Sequence, residues 1–437
     1  MKKIIFIMIF IFSTIVLSGC SPAIDGEKSL ENKKWIQDIN YLDENIRLQH
    51  PDLFRYISEE TWNTNLKKLK SDVVKLSDTS ISLRIAQIIS SINDAHTSTD
   101  VLNLLTPIGE DKIDIEEVVE FPIKFEYFKD GLRVIECDSQ YKEILGYKLL
   151  SINNVPTDEV IKKVSTLNSY DNEQFAKVRA KKCMSIYEFL KFLQIVDSDE
   201  TQYVFENENK EKTSIKVKAI KNKEVDYVNL EKKESEISEK SEQQNDFYWF
   251  KEFKKDNILY FKYNKILTKQ GLNIDKENAP NYPDYYELER NLIDKINNNE
   301  FDKIVIDLRN NRGGAFALVD SLISKFKHRT YLNDKDVIVI QGKETASAGA
   351  VLSWRLQNEL DATVIGEESG GNVNLFGTEG EFITLPNSKL VIKHPYSVVT
   401  YKEGHVGGVK PDVNIIQTYE SYVNGIDDCY EYIKKLK

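Results

Sequence analysis

From residue 246 onward the chain alternates short apolar runs with amphipathic stretches, and this limits its fold more than any other feature. "NILYFKY" (257–263), "KIVIDL" (303–308), "DVIVIQG" (336–342) and "ATVIGE" (362–367) have strand character. Between and around them, "YYELERNLIDKI", "FALVDSLISKF" and "SAGAVLSWRLQNEL" carry helical periodicity. "KIVIDL" is almost unbroken by polar residues, as expected of a strand covered on both faces. Strands and helices in this order predict a mainly parallel sheet held between helices.

The preceding chain reads differently. From about 30 to 93 apolar residues recur three and four apart, first as Trp35, Ile39, Leu42 and Ile46, and "HPDLF" (50–54) interrupts them. Short helices packed on one another are expected there. From about 112 to 220 strand-like runs dominate: "VEFPIKFEYF", an Asp130-Gly131 turn, then "LRVIEC". "LEKKESEISEKSEQQND" reads as a solvated linker. The expected organisation is a helical region (30–105), a β-rich module (110–228), a charged linker (229–245) and an α/β core (246–437).

The start reads as a leader. MKK precedes the apolar stretch Ile4–Leu17, which is too short for a comfortable bilayer span of about 20 residues. It ends in Leu17-Ser18-Gly19-Cys20. Residues 1–19 are expected to be a signal peptide and 20–29 a polar tether. The 437-residue chain carries 59 basic and 70 acidic residues, a formal net charge of −11, which argues against a nucleic-acid partner. Beyond Cys20, the wide spacing of Cys137, Cys183 and Cys429 matches no zinc pattern, and any pairing among them is left open.

Two loops carry the candidate chemistry. "VIDLRNNRGGAFALVD" (305–320) leaves a strand, passes Gly313 and Gly314 and enters a helix. Glycine lets backbone turn sharply and approach a ligand, and amides before a helix start favour negative charge. In "KETASAGA" (343–350), Ser347 occupies the matching place after the next strand, with Ala348 opening the following helix. A serine there is by default a helix cap. Two such loops at the carboxyl ends of neighbouring parallel strands favour a site instead. A serine nucleophile needs a base, and His96 in "NDAHTSTD" (93–100) is available in a polar, turn-prone stretch.

"IVIDLRNNRGG", "TASAGA", "VIGEESGG", "ITLPNS" and "GGVKPDV" together resemble the C-terminal processing peptidases, or tail-specific proteases, related to the tricorn core and the retinoid-binding repeats. The resemblance is strong over about 250–415. It implies an α/β catalytic core of the ClpP/crotonase-like type, with a PDZ-like module around "LGYKLLSINNVP" and the helical region ahead of it. Ser347 matches the nucleophile, and Ala348 with Gly313 and Gly314 matches the oxyanion hole. Where many members place a lysine base, "GEESGGNVN" has Asn372, which cannot act as one. His96 then matches the histidine of the lysine-free branch, and an imidazole suits that work near neutral pH.

The orienting group does not transfer: Ala95 precedes His96, and His405 holds the expected glutamate position. Asp94, Thr97, Glu403 and His405 are the candidates. "LSGC" resembles a lipobox, implying lipidation of Cys20 and an anchor on the extracytoplasmic face of the membrane. The expected protein is a membrane-tethered serine endopeptidase acting on peptides or proteins, with no metal or organic cofactor. A non-catalytic ligand- or peptide-binding lipoprotein on the same scaffold is the rival.

Overall fold

A computed structural model describes residues 30–106, 113–237, 247–269, 282–298, 301–327, 332, 335–377 and 382–436. The leader, Cys20 and the tether, together with 238–245 of the linker and residue 246, lie outside the described residues. No helix among the described residues is long and apolar enough to cross a membrane.

Three helices open the fold: α1 (Asn32–Gln49), α2 (Glu59–Asp72) and α3 (Asp78–Ser90). Ser58 and Ser77 cap α2 and α3, their hydroxyls accepting the amides of Thr61 and Ser80. The stripe Trp35, Ile39, Leu42 and Ile46 meets Trp62, Leu66 and Leu69 of α2 and Ile81, Ile85 and Ile89 of α3. Ile383, Leu385 and Ile392, from far downstream, join the same apolar cluster. The buried Asp38 carboxylate reinforces that contact by accepting the amides of Asn387 and Ser388 at 2.9 and 2.7 Å. The helices are therefore fixed to the C-terminal half, and so is the loop that follows them.

A β-rich unit comes next. Strands β1 (Ile123–Phe128), β2 (Gly131–Asp138), β3 (Lys148–Ile152), β4 (Glu200–Glu206), β5 (Lys212–Lys218) and β6 (Tyr227–Asn229) form an antiparallel sheet in the order β6-β2-β3-β4-β5, with β1 also on β2. Helices α4 (Thr157–Ser165) and α5 (Glu173–Cys183) interrupt it. Asn172 caps α5, accepting from Gln174 and Phe175, and directs the helix toward the site.

The C-terminal half carries a six-stranded sheet in the order β7 (Tyr248–Phe253), β8 (Ile258–Tyr263), β9 (Lys303–Asp307), β10 (Asp336–Gln341), β11 (Thr363–Gly366) and β12 (Val413–Asn414). Only the β7–β8 pair is antiparallel. Ile304, Ile306 and Val339 face α6 (Tyr285–Asn298), α7 (Phe316–Lys327) and α8 (Ala348–Glu359). Val305, Ile338 and Ile340 face the other way, toward Tyr430 and Ile433 of α9 (Asp428–Lys435). Coverage of both faces explains the unbroken apolar strands.

One charged group is built into this core. Asp307 ends β9 fully buried, with Lys262 Nζ 3.0 Å and Arg309 Nη2 2.7 Å from its Oδ2 and the Tyr260 hydroxyl donating to it. Burial alone would raise its pKa, but Arg309 and Lys262 outweigh that and hold the carboxyl well below the usual range. Arg309 also pairs with Asp427 at 2.6 Å, just ahead of α9. Removing one member of such a group leaves buried charge unpaired. Asp307→Ala is therefore expected to cost about 3–5 kcal/mol, read as a lowered midpoint in urea unfolding; an unchanged midpoint would contradict this account.

Candidate active site

The loop after β9 is anchored by Asn311. Its amide nitrogen donates to Tyr263 O at 2.8 Å, its Oδ1 accepts the Gly313 amide at 2.9 Å, and its carbonyl accepts the Ala346 amide at 2.9 Å. The loop after β10 is anchored by Thr345, whose hydroxyl accepts from Gly342 N and donates to Leu308 O. Both loops are thus tied to each other and to the strands beneath.

Ser347 follows at φ 50° and ψ −131°, backbone that a non-glycine residue adopts at a cost of about 1–3 kcal/mol. Its hydroxyl makes no helix-capping bond. The capping role expected of a serine at a helix start is absent, and the side chain is free for another use.

His96 comes from the loop after α3. Ser98 and Thr99 pair with Lys393 and Ile392, binding this loop to the C-terminal half. His96 Nε2 lies 3.2 Å from Ser347 Oγ, although the residues are 251 positions apart. On the other edge of the ring, Nδ1 is 3.5 Å from Asp94 Oδ1, and no hydrogen bond closes there. Asp94 is buried; its Oδ1 accepts the His96 amide at 2.9 Å and its Oδ2 accepts the Thr97 hydroxyl at 2.5 Å. Burial opposes ionisation of Asp94, yet the His50, His96 and Thr97 groups facing it hold its pKa below the usual range. For His96, burial disfavours the charged ring and Lys393 adds to that, but Asp94 and Asp171 prevail and its pKa is raised.

Asp171, from the turn before α5, supplies a second carboxylate. Its two oxygens accept the amides of Ala95, at 2.8 Å, and Asn372, at 3.3 Å. Burial raises its pKa, with Asp94 adding to the effect and His96 opposing it. Asp94, His96 and Asp171 bring their ligand atoms within 4.8 Å of one another. Asn372 stands where the lysine of many relatives was expected, and it serves as a fastener. Its Nδ2 donates to Asp171 O at 3.1 Å and its Oδ1 accepts from Asn172 at 3.2 Å.

The two glycines expected in an oxyanion hole divide. The Gly313 amide is occupied by Asn311 Oδ1. A Cβ at Gly313 would lie 2.7 Å from Ser347 Cβ, so this glycine lets the backbone abut the serine. The Gly314 and Ala348 amides have no acceptor among the described residues. Of the four candidate orienting groups, Asp94 faces the His96 ring and Thr97 bonds to Asp94, whereas Glu403 and His405 make no hydrogen bond to either among the described residues. Glu403 is exposed, and His405 Nε2 faces Gly408 O at 3.3 Å. The hydrogen bonds from Asn374 to the Lys402 and His405 carbonyls hold that loop in place. The described cysteines, Cys137, Cys183 and Cys429, are free and buried.

Sequence reasoning did not single out His50, Asp171 or Asn311. His50 marked only the break after α1, and Asp171 and Asn311 sat unremarked in their loops; no local pattern reports their long-range partners.

Beside Ser347 and His96 opens a cleft of about 460 Å³. Phe175, Val178, Ala346 and Leu102 give it apolar walls, and Arg179, Lys182 and Arg312 line it with positive charge.

Residues 282–415 match peptidase family S41. No curated protein matches the chain. Among solved structures, CPAF complexed with lactacystin is similar at a TM-score of 0.63 and 13% identity, over 92% of this chain and 98% of that one. Mature CPAF gives 0.62 and 13%, over 92% and 96%. The photosystem II D1 C-terminal processing protease gives 0.38 and 12%, over 88% and 94%. At such identities the CPAF likeness establishes the fold alone. Residues 282–415 thus carry the sequence pattern of peptidase family S41, whose members are serine peptidases, and the CPAF likeness gives the fold in which that segment sits.

Proposed function

We propose that this protein is a lipid-anchored serine endopeptidase in which Ser347 is the nucleophile and His96 the general base. The observation that carries the reading is the 3.2 Å approach of His96 Nε2 to the Oγ of an uncapped, backbone-strained serine. Ser347 Oγ attacks the scissile carbonyl carbon while its proton passes to Nε2. The resulting oxyanion lies at the start of α8, where the Gly314 and Ala348 amides and the helix dipole stabilise it. His96 then delivers the proton to the leaving amine as the C–N bond breaks. Water, deprotonated by the same ring, hydrolyses the acyl-enzyme. Asp94 faces Nδ1 and keeps the proton on that side of the ring.

The remaining expectations extend this reading. Cleavage before Cys20 and its lipidation would hold the enzyme on the extracytoplasmic face of the membrane. The antiparallel unit of β1–β6 acts as a PDZ-like module that receives an extended peptide at a sheet edge, ahead of a core of the ClpP/crotonase-like type.

Three results test these points. Ser347→Ala should abolish hydrolysis of a fluorogenic peptide set and labelling by a serine-reactive phosphonate, with an unchanged unfolding midpoint; retained turnover rules out the mechanism. Because the His96 pKa is raised, the neutral base is lost at a higher pH than for an ordinary histidine. The acid limb of kcat/KM should lie above about 6.5 and move down in Asp94→Asn, and a limb below that value would contradict the assigned base. Finally, a cleft lined by Arg179, Lys182 and Arg312 should favour substrates with Glu or Asp beside the scissile bond over Lys, by about tenfold at low salt. Lys182→Glu should erode that preference; indifference to both changes would remove the electrostatic account of specificity.

A further inference from the structure

Behind Asp94 a second histidine is buried, and the direction of its hydrogen bonds can be read from its neighbours. His50 is the residue at which α1 ends. Its Nδ1 accepts the backbone amide of Asp52 at 3.2 Å, so that nitrogen carries no proton. The proton of the ring is therefore on Nε2, which lies 2.9 Å from Thr97 Oγ1 and donates to it. Thr97, having accepted there, turns its own hydroxyl proton to Asp94 Oδ2. The carboxylate's other oxygen is left for the His96 amide and ring. Every link has one allowed direction, set by a single backbone amide at the far end.

The ring of His50 is itself held. It packs edge-on against Phe376, with centroids 4.9 Å apart, and Arg55 lies over that phenyl ring at 5.0 Å. Phe376 belongs to the short strand Leu375–Gly377, beyond the loop that carries Asn372. His50, Thr97 and Asp94 are all nine-tenths buried or more. Water therefore offers little competition for these bonds.

We propose that His50, acting through Thr97, is a positioning residue that sets the orientation of Asp94 and thereby the tautomer of His96. This rests on the reading of His96 as the base. For His96 to accept the Ser347 proton, its neutral ring must carry hydrogen on Nδ1 and a lone pair on Nε2. The 3.5 Å gap between Nδ1 and Asp94 Oδ1 leaves the tautomer sensitive to small displacements of the carboxylate. A fixed donor on Oδ2 removes the rotation that would turn Oδ1 away.

Imidazole 15N chemical shifts of the full chain report the tautomer without any substrate. In the wild type, neutral His96 should be mainly the Nδ1–H form. Thr97→Val, which keeps the shape and deletes the hydroxyl, should raise the Nε2–H fraction severalfold and lower kcat about tenfold or more with KM little changed. Thr97→Ser should restore both. His50→Phe keeps the ring against Phe376 and should reproduce Thr97→Val, whereas His50→Gln, which still offers a nitrogen donor, should recover most of kcat. The double variant His50→Phe/Thr97→Val should be no worse than either alone. Should His50→Phe fail to fold, the Thr97 pair decides. Folded Thr97→Val with wild-type tautomer and kcat overturns the proposal. A wild type that neither hydrolyses peptides nor takes up the phosphonate fails the peptidase reading instead, and the tautomer shifts still stand as the test of the relay.

Discussion

Backbone touching backbone around Ser347 is the constraint on which the site depends. Gly313 lies against the serine's own Cβ, Gly349 against the carbonyl of Asn311, and Gly371 against Ala346 and the Ser347 amide. At each, a side chain would fall within 2.5–2.8 Å of atoms that cannot move aside. Three segments, after β9, β10 and β11, are thereby pressed together. That pressure holds Ser347 in a conformation that its own preferences oppose. The strain resides in one residue, and the structure around it holds it there.

The electrostatics follow from the same crowding. The imidazole sits between two carboxylates of opposite tendency, one held ionised by its hydrogen-bond donors and one whose burial favours the proton. Neither comes from the sheet that bears Ser347. Asp94 arrives with the first three helices and Asp171 with the antiparallel unit. Asn372 cannot supply a base, yet its contacts draw Asp171 into place.

Much of this was legible in the sequence, and what was not has a physical reason. Unbroken apolar runs announced the parallel strands because burial on both faces leaves a direct imprint on composition. The Asp130-Gly131 turn was equally local. Ser347 and His96 could be named because their loops carry a family pattern, and their approach was an expectation that coordinates alone could measure. The occupied Gly313 amide was invisible, since Asn311 gives no sign of which way its side chain turns. His405 held the aligned position for an orienting acid, but the loop around it is pinned by Asn374. Distant pairings such as His50 with Thr97 leave no periodicity to read.

The carboxylate of Asp171 joins the amide preceding His96 to a loop next to Ser347. A chain made from its amino end therefore displays the imidazole long before the hydroxyl exists, and the bridging acid in between. The three cannot meet until the last strands have closed over them. On the proposed mechanism the order of synthesis thus acts as a safety catch, and any proteolytic nick that frees the middle unit would part the acid from both partners.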